Sequence, residues 1–190
     1  MEMVPLADLW LPILLSAVFV FLVSSVFHMA TPWHRRDYAG LPGEDSILDA
    51  IRAAKVPPGD YMFPHCESFA DAQKEEMKRK FDDGPVGVVS VLPKGGFRMG
   101  PSMAAWFLYA LVVSAFAGYL AGHALPAGEA YGKVHQVAGT AGILGFAFWH
   151  VPVSIWKCAR WSTTLRFMVD GVVYGLVIGG TFGWLWPEAA

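Results

Sequence analysis

His28, Tyr109, His150 and Asp170 each stand inside a stretch of this chain that is otherwise apolar. An ionisable side chain in hydrocarbon is costly, so such a group is expected to face other protein and to mark function. Two imidazoles and a carboxylate have the chemistry to bind a divalent transition metal, and an aspartate can instead orient a histidine as a general base. The spacing does not choose between them, because no two histidines lie one helical turn apart with an acid between. The same residues also read as a structural plug, a buried Asp-His pair that with Tyr109 fixes the register of the helices.

Further candidates lie just beyond these stretches. His34, His65 and Cys66 could add ligands from the adjoining polar segment. The pair His65-Cys66 is weak evidence, since neighbouring side chains on an extended chain point to opposite faces. Haem b is the other cofactor class to weigh. His123 and His135 fall at one level and His28 and His150 at another, as two haems between paired imidazoles would require. His135 and His150 are roughly 22 Å apart along a helix and roughly 60° apart around it. Against haem, His123 precedes the loop residues Ala124 to Pro126, a poor platform for an axial ligand.

What must position these groups follows from composition. Among 190 residues 55% are hydrophobic and 16% charged, with a positive mean hydropathy, which points to lipid as the solvent. Most of the Lys, Arg, Asp and Glu fall between residues 31 and 100. No basic block with interleaved aromatics suggests nucleic acid. Four runs, 8–31, 101–123, 132–157 and 163–186, are long enough to cross a hydrocarbon layer that needs ~20 apolar residues. The first does not read as a cleaved signal, because Glu2 and Asp8 precede it where a signal carries positive charge. Counting roughly 1.5 Å of rise per residue, His28, Tyr109, His150 and Asp170 fall in one layer, about 5 to 10 Å below one surface.

Lys and Arg beside the helix ends set the expected orientation. Arg35, Arg36, Lys94, Arg98, Lys157, Arg160 and Arg166 fall on one side and only Lys133 on the other. The expectation is a bacterial-type inner membrane with both termini outside and residues 32–100 cytoplasmic. Cys66 and Cys158 then sit where disulfides are rare. The tryptophans cluster near helix ends as interfacial anchors, and Pro152 should bend the third span and redirect His150.

Within the polar segment, Glu44 to Lys55 reads as a short amphipathic helix ended by Val56-Pro57-Pro58-Gly59. A second helix is expected from Glu67 to Asp82, solvated or lying on the inner leaflet. Val86 to Leu92 reads as a strand pairing with Gly59 to Pro64. Gly95-Gly96 reads as a linker. The fourth span carries Gly171, Gly175, Gly179 and Gly183, one glycine per four residues, which makes a groove for close approach of another backbone.

The sequence therefore defines an all-α membrane protein. It is a four-transmembrane-helix bundle with a small cytoplasmic α+β insert between helices 1 and 2: helix 1 in 1–31, the insert in 32–100, and helices 2 to 4 in 101–190. Beyond the lipid bilayer, a membrane-protein partner or a second copy is the expected contact. Two functions compete. One is a non-enzymatic subunit, scaffold or assembly factor of a membrane complex, requiring no cofactor. The other is a metal- or haem-binding membrane protein, redox or hydrolytic, built on the His/His/Asp layer. A transporter fits less well, for no half-repeat with broken helices is visible.

Overall fold

The computed structural model describes residues 3–95 and 98–189; Glu2 and Gly96, the second glycine of the expected linker, lie outside them. The chain divides into two compact units, one of Met1–Tyr38 with Arg98–Ala190 and the other of Ala39–Phe97. The fold is mostly helical with one small two-stranded sheet.

In the first unit four helices are long and apolar enough to cross a membrane: Leu6–Ala30, Met99–Ala124, Tyr131–Lys157 and Trp161–Trp184. The first consists of a 3-10 turn Leu6–Leu9, the α-helix α1 (Trp10–Ser25) and a π-helical turn Val26–Ala30. Met99–Ala124 and Trp161–Trp184 are single helices, named α5 and α8 below. The third is interrupted. It comprises α6 (Tyr131–Ala147) and α7 (Val151–Lys157), with a turn at Phe148–His150 in which the Val151 amide donates to the Phe148 carbonyl at 3.2 Å. Pro152 brings no amide proton and favours an early position in a helix, so the expected bend is a complete break. His150 ends up as the residue that caps α7.

Small residues set the packing. α8 runs along α6, α1 packs on α5 and α8, and α5 packs on α6. A side chain at Gly171 would strike the backbone of Phe146 and Ala147, one at Gly175 would meet the Gly139 carbonyl at 2.8 Å, and one at Gly179 the His135 carbonyl at 2.6 Å. Gly183 lies under the Tyr131 ring. Ala17, Ala110, Ala117, Ala121 and Ala138 are fully buried between helices, with Phe146, Phe182 and Ile178 filling the wider spaces. Close backbone approach of this kind maximises dispersion where lipid gives no hydrophobic drive. The tryptophans divide into two groups. Trp10, Trp149, Trp156, Trp161 and Trp184 are exposed as anchors should be. Trp33, Trp106 and Trp186 instead donate to protein acceptors, Asp170, Ser24 and the Pro126 carbonyl.

The second unit holds α2 (Glu44–Ala53), β1 (Gly59–Phe63), α3 (Phe69–Ala72), α4 (Glu75–Asp83) and β2 (Gly87–Val91). The strands are antiparallel, Gly59 opposite Val91 and Phe63 opposite Gly87. The single helix expected from Glu67 to Asp82 is two. The Ser68 hydroxyl accepts from the Asp71 amide at 3.1 Å and starts α3 late, and Lys74 pairs with the Asp71 carboxylate at 2.5 Å. Lys74 is itself extended, and its carbonyl accepts the first amide bonds of α4. The Ser68 cap fixes where α3 begins, and the extended Lys74 separates it from α4.

Candidate metal centre

His28 lies in the π-helical turn that ends the first span. A π turn holds one residue more than an α turn and is frequent where a side chain must be re-aimed for function. The His28 Nδ1 donates to the Ser24 carbonyl at 3.0 Å. Its Nε2 has no hydrogen-bond partner among the described residues. Thr31 then turns the chain: its hydroxyl donates to the Phe27 carbonyl at 2.7 Å and accepts from the Trp33 amide at 3.3 Å. Two further turns, Arg35 to Pro32 and Asp37 to His34, curl residues 32–37 back against α8.

That return places His34 flat on His28, ring centres 4.0 Å apart and planes within 12°. It also sets His34 between two carboxylates, Nδ1 at 2.6 Å from Asp37 and Nε2 at 2.7 Å from Asp170. The second oxygen of Asp170 accepts from the Trp33 indole at 2.9 Å. Arg166, one turn before Asp170 on α8, donates Nε to Asp37 at 2.8 Å and a terminal nitrogen to Thr163 at 3.2 Å. The side chains of His34, Asp37 and Asp170 are 9%, 6% and 1% exposed. Burial pushes the Asp37 carboxyl up, but hydrogen bonds from His34 and Arg166 and their positive charge outweigh it and hold the group below the usual carboxylate range.

With no metal, each of the two short contacts between His34 and a carboxylate needs a proton between the partners, and Arg166 adds its guanidinium at Asp37. A metal ion would replace the Nε2 proton between His34 and Asp170. The ligand atoms of His28, His34 and Asp170 lie within 4.8 Å of one another, and among the described residues they are the one such trio of His, Cys, Asp and Glu. Each has its remaining polar atom held by an outer partner: Ser24 for His28, Asp37 for His34, Trp33 for Asp170. That outer layer is what orients metal ligands and fixes histidine tautomers. Bond lengths near 2 Å would require the trio to close up, and the stacked imidazoles to splay.

His150 and Tyr109 lie outside the trio. The His150 Nδ1 is 2.8 Å from the Thr164 hydroxyl, which also bonds Ser154, and its ring stacks on Phe167 at 4.9 Å. The break before α7 directs it there. Tyr109 donates to the Gly145 carbonyl at 2.6 Å. The histidines weighed for haem are each engaged separately: His123 with the Tyr119 carbonyl at 2.9 Å, His135 over Tyr131, His28 with His34, His150 with Thr164. His65 shares a surface pocket of about 260 Å³ with Glu67, Asp71 and Lys74 in the second unit, and Cys66 is a free thiol. The sequence offered His34 only as a secondary ligand candidate, read Arg166 and Trp33 only as membrane-surface residues, and left out Asp37. The signals were the three-residue step from His34 to Asp37 behind Pro32, and the four-residue step that puts Arg166 and Asp170 on one face of α8.

The fold and site together define a mostly helical chain with four helices long and apolar enough to cross a membrane and a His/His/Asp trio in which Asp170 is buried and His28 exposed. Compared with family models, with curated proteins and with solved structures, it matches none.

Proposed function

We propose that this is a metal-binding membrane protein whose His28, His34 and Asp170 hold one divalent transition ion. The observation that carries the reading is the outer layer: Ser24, Asp37 and Trp33 each take the polar atom that a metal would leave over. Two imidazoles and a carboxylate suit zinc or iron(II), and such a set leaves coordination positions open to water or substrate, as redox or hydrolytic chemistry requires. When bound, the ion would act as a Lewis acid or redox centre. Asp37 would hold the His34 ring in the tautomer that ligates through Nε2, and Trp33 would keep one Asp170 oxygen from rotating away. In this reading the four helices form a bundle across a bacterial-type inner membrane, with the trio at the cytoplasmic ends of the first and fourth spans.

A second reading has its own support. Asp37, His34, Asp170 and Arg166 bond one another, so the same group serves as a hydrogen-bonded brace between residues 31–37 and α8 in a non-enzymatic subunit or assembly factor. Metal analysis of protein purified in mild detergent separates the two. Retained zinc or iron that is lost in both His28→Ala and Asp170→Asn supports the metal centre. A metal-free protein that takes up no ion on dialysis, and that copurifies with another membrane protein, supports the brace.

A further inference from the structure

A cavity of about 400 Å³ opens beside the trio and shares His28 and Asp170 with it. Its walls come from α1, α5, the end of α6 and α8, all within one unit. Trp106, Phe146 and Tyr174 stand edge to face around it, ring centres 5.5 to 6.2 Å apart. Met29 and Met99 form its rim and are 69% and 62% exposed. Small-molecule sites have this size and this mixture of apolar wall and few polar groups.

We propose that this cavity binds a lipid-soluble molecule whose head is a single oxygen-bearing ring of the phenol or quinone type on an apolar tail. Size comes first: the cavity has the volume of a ring head with a short tail, far less than a two-chain lipid. Wall chemistry comes second, since flat rings gain from edge-to-face and stacked contact with aromatic residues, and methionine side chains adapt to an irregular tail. The polar end decides the class. The Tyr174 hydroxyl, on a residue 3% exposed and one turn from Asp170, has no hydrogen-bond partner among the described residues. A buried hydroxyl left without a partner is rare and asks for one. A ring oxygen would give this hydroxyl a partner, whereas a plain acyl chain leaves it unsatisfied. The inference deepens the metal reading by naming what would lie beside the ion, and it rests on that reading only for the chemistry, not for the binding.

The probe is a ubiquinone with one isoprenoid unit, titrated into the full chain in detergent with laurate as competitor, before and after chelation of metal. Ser102→Phe and Met103→Trp narrow the cavity from α5 without touching the trio, and Tyr174→Phe removes only the hydroxyl. We expect saturable binding, at least tenfold weaker in either filling variant and several-fold weaker in Tyr174→Phe, with metal content unchanged and laurate a poor competitor. A filling variant that is not monodisperse and helical is set aside for the other. Absence of saturable binding up to the probe's solubility overturns the proposal, as does full affinity in the filling variants. Displacement by laurate at equal affinity overturns the ring class. Binding that survives in a chain that never holds metal sustains the cavity and removes the metal reading alone.

Discussion

Asp37 touches no ligand position, yet it sets what His34 can do. It accepts from Nδ1 at 2.6 Å while Arg166 holds it in place. Asp37→Asn keeps the shape and removes the charge, so metal affinity should fall about 10- to 100-fold, as for other outer-layer partners of ligating histidines. Titration against a chromophoric chelator reads this, with His65→Ala as the unaffected control; equal affinity in wild type and Asp37→Asn would show that His34 is not a ligand. His28 and Asp170 stood out in the sequence as polar groups inside apolar runs, where a structural plug was the competing reading. His34 stood out less, as a secondary ligand candidate beside the membrane surface, and Arg166 only as a surface charge. Only the reversal at Thr31-Pro32, a matter of local hydroxyl and amide bonds, brings them onto Asp170 and Asp37.

At the scale of elements, α8 and α6 touch backbone to backbone, and that predicts a sharp positional contrast. A Cβ at Gly171 meets the backbone of Ala147 and Phe146, whereas one at Gly180 meets only the Tyr131 hydroxyl at 3.6 Å. Backbone cannot yield as a side chain can, so Gly171→Val should cost about 1–3 kcal/mol or more by overpacking. Gly180→Ala should be near neutral. Thermal unfolding in detergent compares them, and equal melting temperatures would show that α6 and α8 do not pack in this way. The glycine spacing made this seam visible in advance because steric need is written in residue type. The strand pair was equally legible from β-branched residues between turn formers. The split of the Glu67–Asp82 helix was not, for it depends on Ser68 and Lys74 each finding the Asp71 group within one turn. Pro152 announced a bend, but its consequence, His150 bonded to Thr164 while Asp170 is bonded to Trp33 and His34, needed coordinates.

For the whole molecule, four helices long and apolar enough to cross a membrane were legible from length and hydropathy alone, and their orientation is an expectation from the basic residues beside them. Both cysteines are free, and Cys158 is exposed. Cys158 should therefore react with an impermeant maleimide only after the inner membrane is opened; labelling in intact spheroplasts would reverse the orientation. The trio's position, joining the segment after the first span to the fourth, makes metal content a property of the folded whole rather than of any one segment. The most direct measurement is elemental analysis of the full chain after purification in mild detergent and dialysis against zinc or iron(II). We expect about one ion per folded chain, absent in Asp170→Asn and in His28→Ala while both variants stay helical, since affinity needs the assembled ligand set. Stoichiometric metal that persists in both variants, or none in the wild type, would contradict a metal centre at this site.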